Sequence, residues 1–243
     1  MNAHSSTTPD VTRLLIHGAN GRMGQALVRL SGGREDLRVV AAVARTVGQR
    51  VVDGIPQYAA AELAGVPEFD VAIDFSLPVG FDAVLALCLE RGAALVSGTT
   101  GLSEAQQAAI AHAGSRIPVI WASNFSLGVA VLADLVERAA RALPHWSCDI
   151  VEAHHSRKLD APSGTALSLG AVAAGQGAQP RYASIRAGDI VGEHTVQFTG
   201  EGERIELIHR AGNRDIFARG ALHAATRVAG RPAGVYALAD LID

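Results

Sequence analysis

The stretch RLLIHGANGRMGQALVRL, residues 13–30, passes from an unbroken apolar run through a glycine-rich turn into a segment with Met23, Ala26, Leu27 and Leu30 on one helical face. Strand, tight turn and helix in that order open a crossover unit, which must bring the chain back to a strand parallel to the first. Further apolar runs without polar alternation lie at residues 37–45, 70–76, 93–100 and 117–124. Helical patterns at residues 81–91 and 103–113 separate the later runs, the second opened by a capping box from Ser103 and Gln106. A strand that is apolar on both faces is covered on both. The expected fold class is therefore α/β, with a doubly wound parallel sheet.

Beyond about residue 125 the pattern changes. An amphipathic helix at residues 127–143 precedes CDIVEAH, and a second helix starts near Gly164. Residues 193–200 and 203–210 then alternate apolar and polar side chains with period two, the mark of an antiparallel or mixed sheet with one wetter face. A helix at residues 215–228 and the apolar segment GVYALADLI close the chain. Two domains are expected, the second α+β with a mixed sheet, and the last helix fits either.

Composition narrows the partners. At 243 residues with 49% hydrophobic and 19% charged side chains, the chain can bury a core in each domain. A net charge of -3 supplies no basic field for phosphate backbones, which argues against nucleic acid. No apolar run reaches the ~18 residues of a membrane span. The opening MNAHSSTTPD lacks the apolar core of a secretory signal and is expected to be a loose tail of a cytoplasmic protein. Cys88 and Cys148 form no CxxC pair and are expected to be buried free thiols.

The turn Gly18-Ala19-Asn20-Gly21-Arg22-Met23-Gly24 carries the first chemistry. Small residues there let the backbone approach a pyrophosphate, and the following helix points free N–H groups at it. The spacing is GxxGxxG, with Asn20 where the usual fingerprint has its second glycine. About 20 positions on, such folds place a carboxylate for the ribose 2′-hydroxyl. Here the second strand ends Ala44-Arg45, which suits a 2′-phosphate, so NADPH is expected to be preferred and NADH possible. The other reading of Arg45 is a solvated strand end. Gly98, Thr99 and Thr100, and Ala122, Ser123, Asn124 and Phe125, end the fourth and fifth strands, where a doubly wound sheet gathers its ligand; ordinary turn chemistry is the alternative.

VEAHHSRKLDAPSGTA, residues 151–166, holds the second concentration of chemistry. Adjacent His154 and His155 diverge, and no Cys or further His lies nearby at ligand spacing, so no metal centre is expected. A solvated basic loop is one reading. The other is an anion pocket: Ser163 can cap a helix whose N–H groups at Gly164 and Thr165 receive a carboxylate, with imidazoles and Lys158 as proton donors. Arg214 either touches the substrate or joins the two domains, and substrate contact is the favoured reading.

This stretch resembles the signature of the 4-hydroxy-tetrahydrodipicolinate reductase family. GANGRMG, DFSLP, SGTTG, SNFSLGV, RAGDIVGEHTVQF and GNRDIFARGALHAA resemble further family segments in the same order, from about residue 13 onward. The resemblance implies a nicotinamide-dependent enzyme of the diaminopimelate route to lysine that reduces a cyclic unsaturated imine dicarboxylate to tetrahydrodipicolinate. It implies His154 as catalytic acid/base and Lys158 as proton donor, with His155, Gly164 and Thr165 on the substrate carboxylates. Gly18 to Met23, Gly98, Thr99, Thr100 and Ala122 to Phe125 would hold the cofactor. The implied architecture is a Rossmann-type domain, residues 1–125 completed by 214–243, and a substrate-binding and oligomerisation domain, residues 126–213, that builds a homotetramer. One departure is Ala44, where the family often has Glu; it puts NADH use in doubt.

Overall fold

The computed structural model describes residues 11–242. The expected loose tail lies outside the described residues. In chain order the elements are β1 (Thr12–His17), α1 (Arg22–Ser31), β2 (Leu37–Ala44), β3 (Val51–Val52), β4 (Ile55–Ala59), β5 (Val71–Asp74), α2 (Pro78–Arg91), β6 (Ala94–Ser97), α3 (Glu104–Ala113) and β7 (Pro118–Trp121). They continue with α4 (Leu127–Ala142), β8 (Ser147–His154), α5 (Gly164–Gly175), β9 (Pro180–Arg186), β10 (Gly192–Thr199), β11 (Arg204–Ala211), α6 (Asp215–Val228) and β12 (Gly234–Tyr236). Single 3-10 turns occupy Ala60–Gly65 and Leu238–Leu241. Two compact units result: one runs to Phe125 and resumes at Phe217, and the other is Ser126–Ile216.

The first unit is a sheet in the order β12-β7-β6-β5-β1-β2-β4-β3. All its neighbours are parallel except β3 and β4, which pair as an antiparallel hairpin. The direction of winding reverses between β1 and β5, so their carboxyl ends, at His17 and Asp74, form the switch point where such sheets bind ligands. Leu14, Leu15 and Ile16 are fully buried, as a strand covered on both faces requires; each contributes about 2 kcal/mol of apolar burial. The predicted capping box is present: Ser103 accepts from the Gln106 N–H and the Gln106 side chain returns to Ser103 N. Helix α2 starts earlier than its apolar pattern, because Pro78 at its first turn presets the helical φ.

The second unit is a four-stranded mixed sheet in the order β11-β10-β8-β9, antiparallel at the first two junctions and parallel between β8 and β9. Its buried face packs on α4 and α5 through Leu132, Val136, Ile150, Leu169, Val196 and Phe198. Cys88 and Cys148 are both free and buried, and burial raises both thiols.

Three strands have no counterpart in the sequence expectations. Strand β3 is two exposed valines, β4 contains Pro56 and is half-buried throughout, and β9 is exposed along most of its length. None shows the apolar run or the alternation that marks a strand in a sequence. The runs at residues 93–100 and 117–124 end as strands at Ser97 and Trp121, and their remaining residues are loops.

Candidate functional site

In the first unit the glycine turn sits at the carboxyl end of β1. Gly18 has φ +83°, and a Cβ there would lie 2.5 Å from the Phe75 carbonyl oxygen. A Cβ on Gly24 would lie 2.4 Å from Gly18 O, so backbone fills the space on both sides of the turn. Main-chain bonds from Gly18 N and Ala19 N to Val43 O, both 2.9 Å, tie the turn to β2. Helix α1 follows with Gly21 at its N-cap, no side-chain cap and no acidic residue in the first turn. Its first N–H groups thus face outward without a competing carboxylate, and a dinucleotide pyrophosphate fits this cradle. Asn20, Gly21 and Arg22 are exposed, and Met23 is half-buried. Arg45 is exposed immediately after β2.

Beneath the turn lies a polar cluster that the sequence reading missed. Asp74, fully buried, takes the His17 Nδ1 at 2.8 Å, the Ser97 and Thr99 hydroxyls at 2.8 Å each, and the Ser76 N–H at 3.2 Å. Thr99, expected to hold cofactor, therefore spends its side chain inward on Asp74, while Thr100 and Ser123 are exposed. Trp121 Nε1 donates to Thr99 O at 2.9 Å, and Ala122 N donates to Ser97 O at 3.1 Å, joining the two loops. Gly98 and Asn124 are half-buried, and Phe125 is buried with its ring edge-on to Phe75 at 5.5 Å.

In the second unit His154 ends β8, whose buried residues alternate with period two: Cys148, Ile150, Glu152, His154. That alternation puts Glu152 and His154 on one face, with Glu152 Oε2 2.5 Å from His154 Nδ1. Arg186, at the end of β9, clamps Glu152 with Nη2 to Oε1 at 2.7 Å and Nη1 to Oε2 at 2.9 Å. Burial alone would raise the Glu152 carboxyl; Arg186, Ser184 and His154 more than reverse this and bring it down to about 2. His194, paired with Glu152 across the β8–β10 ladder, lies edge-on to His154 at 5.2 Å.

Ser163 caps α5 as expected, accepting from Ala166 N at 3.2 Å, and shares a hydrogen bond of 3.2 Å with His194 Nε2. Gly164 is exposed and Thr165 half-buried at the start of that helix. Lys158 pairs with Asp160 at 2.9 Å, and Arg186 Nη2 bonds the Asp160 carbonyl at 2.6 Å, which fixes the loop. His155 is held below its ordinary value by partial burial, then by the positive charges of Arg214 and Arg157. Arg214 and His155 are thus brought into one cationic neighbourhood, suited to a carboxylate. Among the described residues no group of three or more His, Cys, Asp or Glu side chains gathers to hold a metal.

The buried His194 makes a pH prediction. Burial, then the neighbouring His154, push its imidazole down to about 4. Between roughly pH 6.5 and 4 the unfolded chain binds a proton there that the folded chain refuses, so stability falls as pH falls, by about 2–3 kcal/mol. Urea midpoints measured across that window should decline, and His194→Asn should flatten the decline; an equally steep slope in the variant would contradict it.

Glu152, Arg186, His194 and Asp74 escaped the sequence reading. Period two within CDIVEAH was the available signal for Glu152; the others join through strand pairing distant in sequence.

A chain with a pyrophosphate cradle at the switch point of one unit, and a buried acid-base pair beside cationic groups in the other, has the equipment of a two-domain nicotinamide-dependent reductase. A family profile described as dihydrodipicolinate reductase, N-terminus, matches residues 12–125, and its C-terminus counterpart matches residues 128–242. The 4-hydroxy-tetrahydrodipicolinate reductase of Xanthomonas campestris pv. campestris (strain B100) is 66% identical over 236 residues, covering 97% of this chain and 99% of its own. That of Stenotrophomonas maltophilia (strain K279a) is 68% identical over 232 residues, covering 95% and 97%. The solved structure of a dipicolinate-bound dihydrodipicolinate reductase from Paenisporosarcina sp. TG-14 has the same fold, with a TM-score of 0.83 at 24% identity over 96% of this chain and 100% of that one. The chain belongs to the 4-hydroxy-tetrahydrodipicolinate reductase family. Its activity is the NAD(P)H-dependent reduction of a cyclic unsaturated imine dicarboxylate to tetrahydrodipicolinate, in the diaminopimelate route to lysine.

Proposed function

We propose that in this reductase His154 is the catalytic acid/base and Lys158 the proton donor, while His155, Ser163, Gly164, Thr165 and Arg214 hold the substrate carboxylates. The observation that carries this reading is the buried Glu152–His154 pair next to a capped helix start and a cationic loop. When bound, the reduced nicotinamide supplies a hydride. Adding hydride to a conjugated imine leaves an electron pair on the substrate that a proton must quench, and the His154 imidazole and the Lys158 ammonium are groups able to deliver one. The exposed N–H groups at Gly164, the Arg214 guanidinium and the His155 imidazole orient the dicarboxylate.

The first unit holds the cofactor, through Gly18 to Met23, Gly98 to Thr100 and Ala122 to Phe125, with NADPH preferred because Arg45 stands where an acidic residue would accept from a ribose hydroxyl. The second unit binds substrate and builds a homotetramer; exposed Tyr182 and Ile185 on β9 and Ile205 and Ile208 on β11 support an interface there. Two free buried thiols fit a cytoplasmic location.

The test is loss of reduced-nicotinamide absorbance, with substrate generated in place from pyruvate and aspartate semialdehyde by the preceding synthase. Turnover should favour NADPH over NADH, and Arg45→Ala should narrow that preference roughly tenfold through loss of one charged hydrogen bond. Equal rates with both cofactors would remove the Arg45 argument and leave the reductase intact.

A further inference from the structure

His154 is held by more than its neighbours in the loop. Its Nδ1 meets Glu152 Oε2 at 2.5 Å, and Glu152, 1% exposed, accepts both arms of Arg186 and the Ser163 N–H at 3.3 Å. One carboxylate therefore ties three parts of the unit together: the imidazole, the first turn of α5 through Ser163, and the end of β9 through Arg186. On the far side of the ring, a Cβ at Gly192 would lie 3.1 Å from His154 Nε2, so a larger residue there would crowd that nitrogen.

We propose that Glu152 is a positioning residue for the reduction, fixing the His154 proton on Nδ1 so that Nε2 is the atom that exchanges a proton with the substrate, and that Arg186 keeps Glu152 in the ionised, acceptor-only form this requires. The proposal rests on the acid/base reading of His154. A carboxylate has no proton to donate, so the shared hydrogen in the Glu152–His154 bond belongs to Nδ1. Oε1 faces two obligate donors, Arg186 Nη2 and the Ser163 N–H, whereas Oε2 faces one, Arg186 Nη1, beside the His154 ring, which can change from donor to acceptor. This makes the consequence of Glu152→Gln specific. The glutamine oxygen takes the Oε1 place with its two obligate donors, the amide takes the Oε2 place and displaces Arg186 Nη1, and Nδ1 is forced to become the acceptor. The proton moves to Nε2, which is the wrong tautomer.

The experiment uses the full-length enzyme. The ¹⁵N shifts of the His154 ring in the Glu152→Gln variant should change from the Nδ1–H to the Nε2–H pattern, kcat should fall roughly 100-fold, and NADPH affinity should stay within about twofold. An unchanged tautomer overturns the proposal, and so does a switched tautomer with unchanged kcat. Should that variant fail to fold, Glu152→Asp keeps the charge on Arg186 and withdraws the oxygen from His154 by one methylene. Its kcat should drop with NADPH affinity kept, and an undiminished kcat overturns the proposal equally. Full activity in His154→Ala would instead remove the acid/base reading, an outcome that the ring shifts in the Glu152 variants do not depend on.

Discussion

His154→Ala is expected to lower turnover by about 10²- to 10⁴-fold while cofactor affinity stays near its original value, and Lys158→Ala to fall in the same range. The separation follows from where these side chains sit. Both belong to the unit Ser126–Ile216, whereas the glycine turn and the loops after β6 and β7 belong to the other. Removing the imidazole leaves Glu152 paired with Arg186 and Ser163, so the site loses the proposed acid/base group without gaining an unpaired buried charge. Steady-state kcat with in-place substrate, together with fluorescence titration of NADPH, measures the two effects separately. Near-normal turnover in either variant would strip that residue of its role. A parallel loss of NADPH binding would mean the substitution had disturbed more than the proton path.

The second large effect concerns a glycine far from that chemistry. Gly220 lies inside α6, where alanine would ordinarily stabilise a helix by about 0.5–1 kcal/mol. Here a Cβ would stand 1.7 Å from the carbonyl oxygen of Phe125. That neighbour is main chain and cannot rotate aside, so the overpacking cost, about 3 kcal/mol, outweighs the gain in propensity. Gly220→Ala should lower the urea midpoint accordingly. It should also weaken NADPH binding, because Phe125 ends a loop proposed to hold the cofactor and its ring packs on Phe75. A midpoint at or above the original would show that α6 shifts at little cost.

Local patterns made part of this molecule legible before any coordinates. The β1–α1 turn was readable because a strand, closely spaced glycines and a helix are adjacent in sequence, and the cap at Ser163 because capping acts over three residues. The loop from His154 to Thr165 was readable as a concentration of donors. What escaped reading depends on partners remote in the chain. Arg186 reaches Glu152 from a strand exposed along most of its length, which carries no apolar signal, and His194 meets the same carboxylate only through the register of β10 on β8. Asp74 and His17 likewise sit on separate strands and read individually as ordinary polar ends of apolar runs. Thr99 shows the limit from the other side: its position in a polar loop was readable, the inward turn of its hydroxyl was not.

The placement of β12 beside β7 has a consequence for how the chain is made. Synthesis runs from one terminus to the other, so the sheet of the first unit waits with Val119 and Ile120 on an open edge while the whole of Ser126–Ile216, continuous in sequence, emerges and can settle on its own. An open apolar edge invites pairing with other nascent chains. A message that ends after β7 but before Gly234 therefore yields a polypeptide prone to clumping on its neighbours rather than a smaller working enzyme.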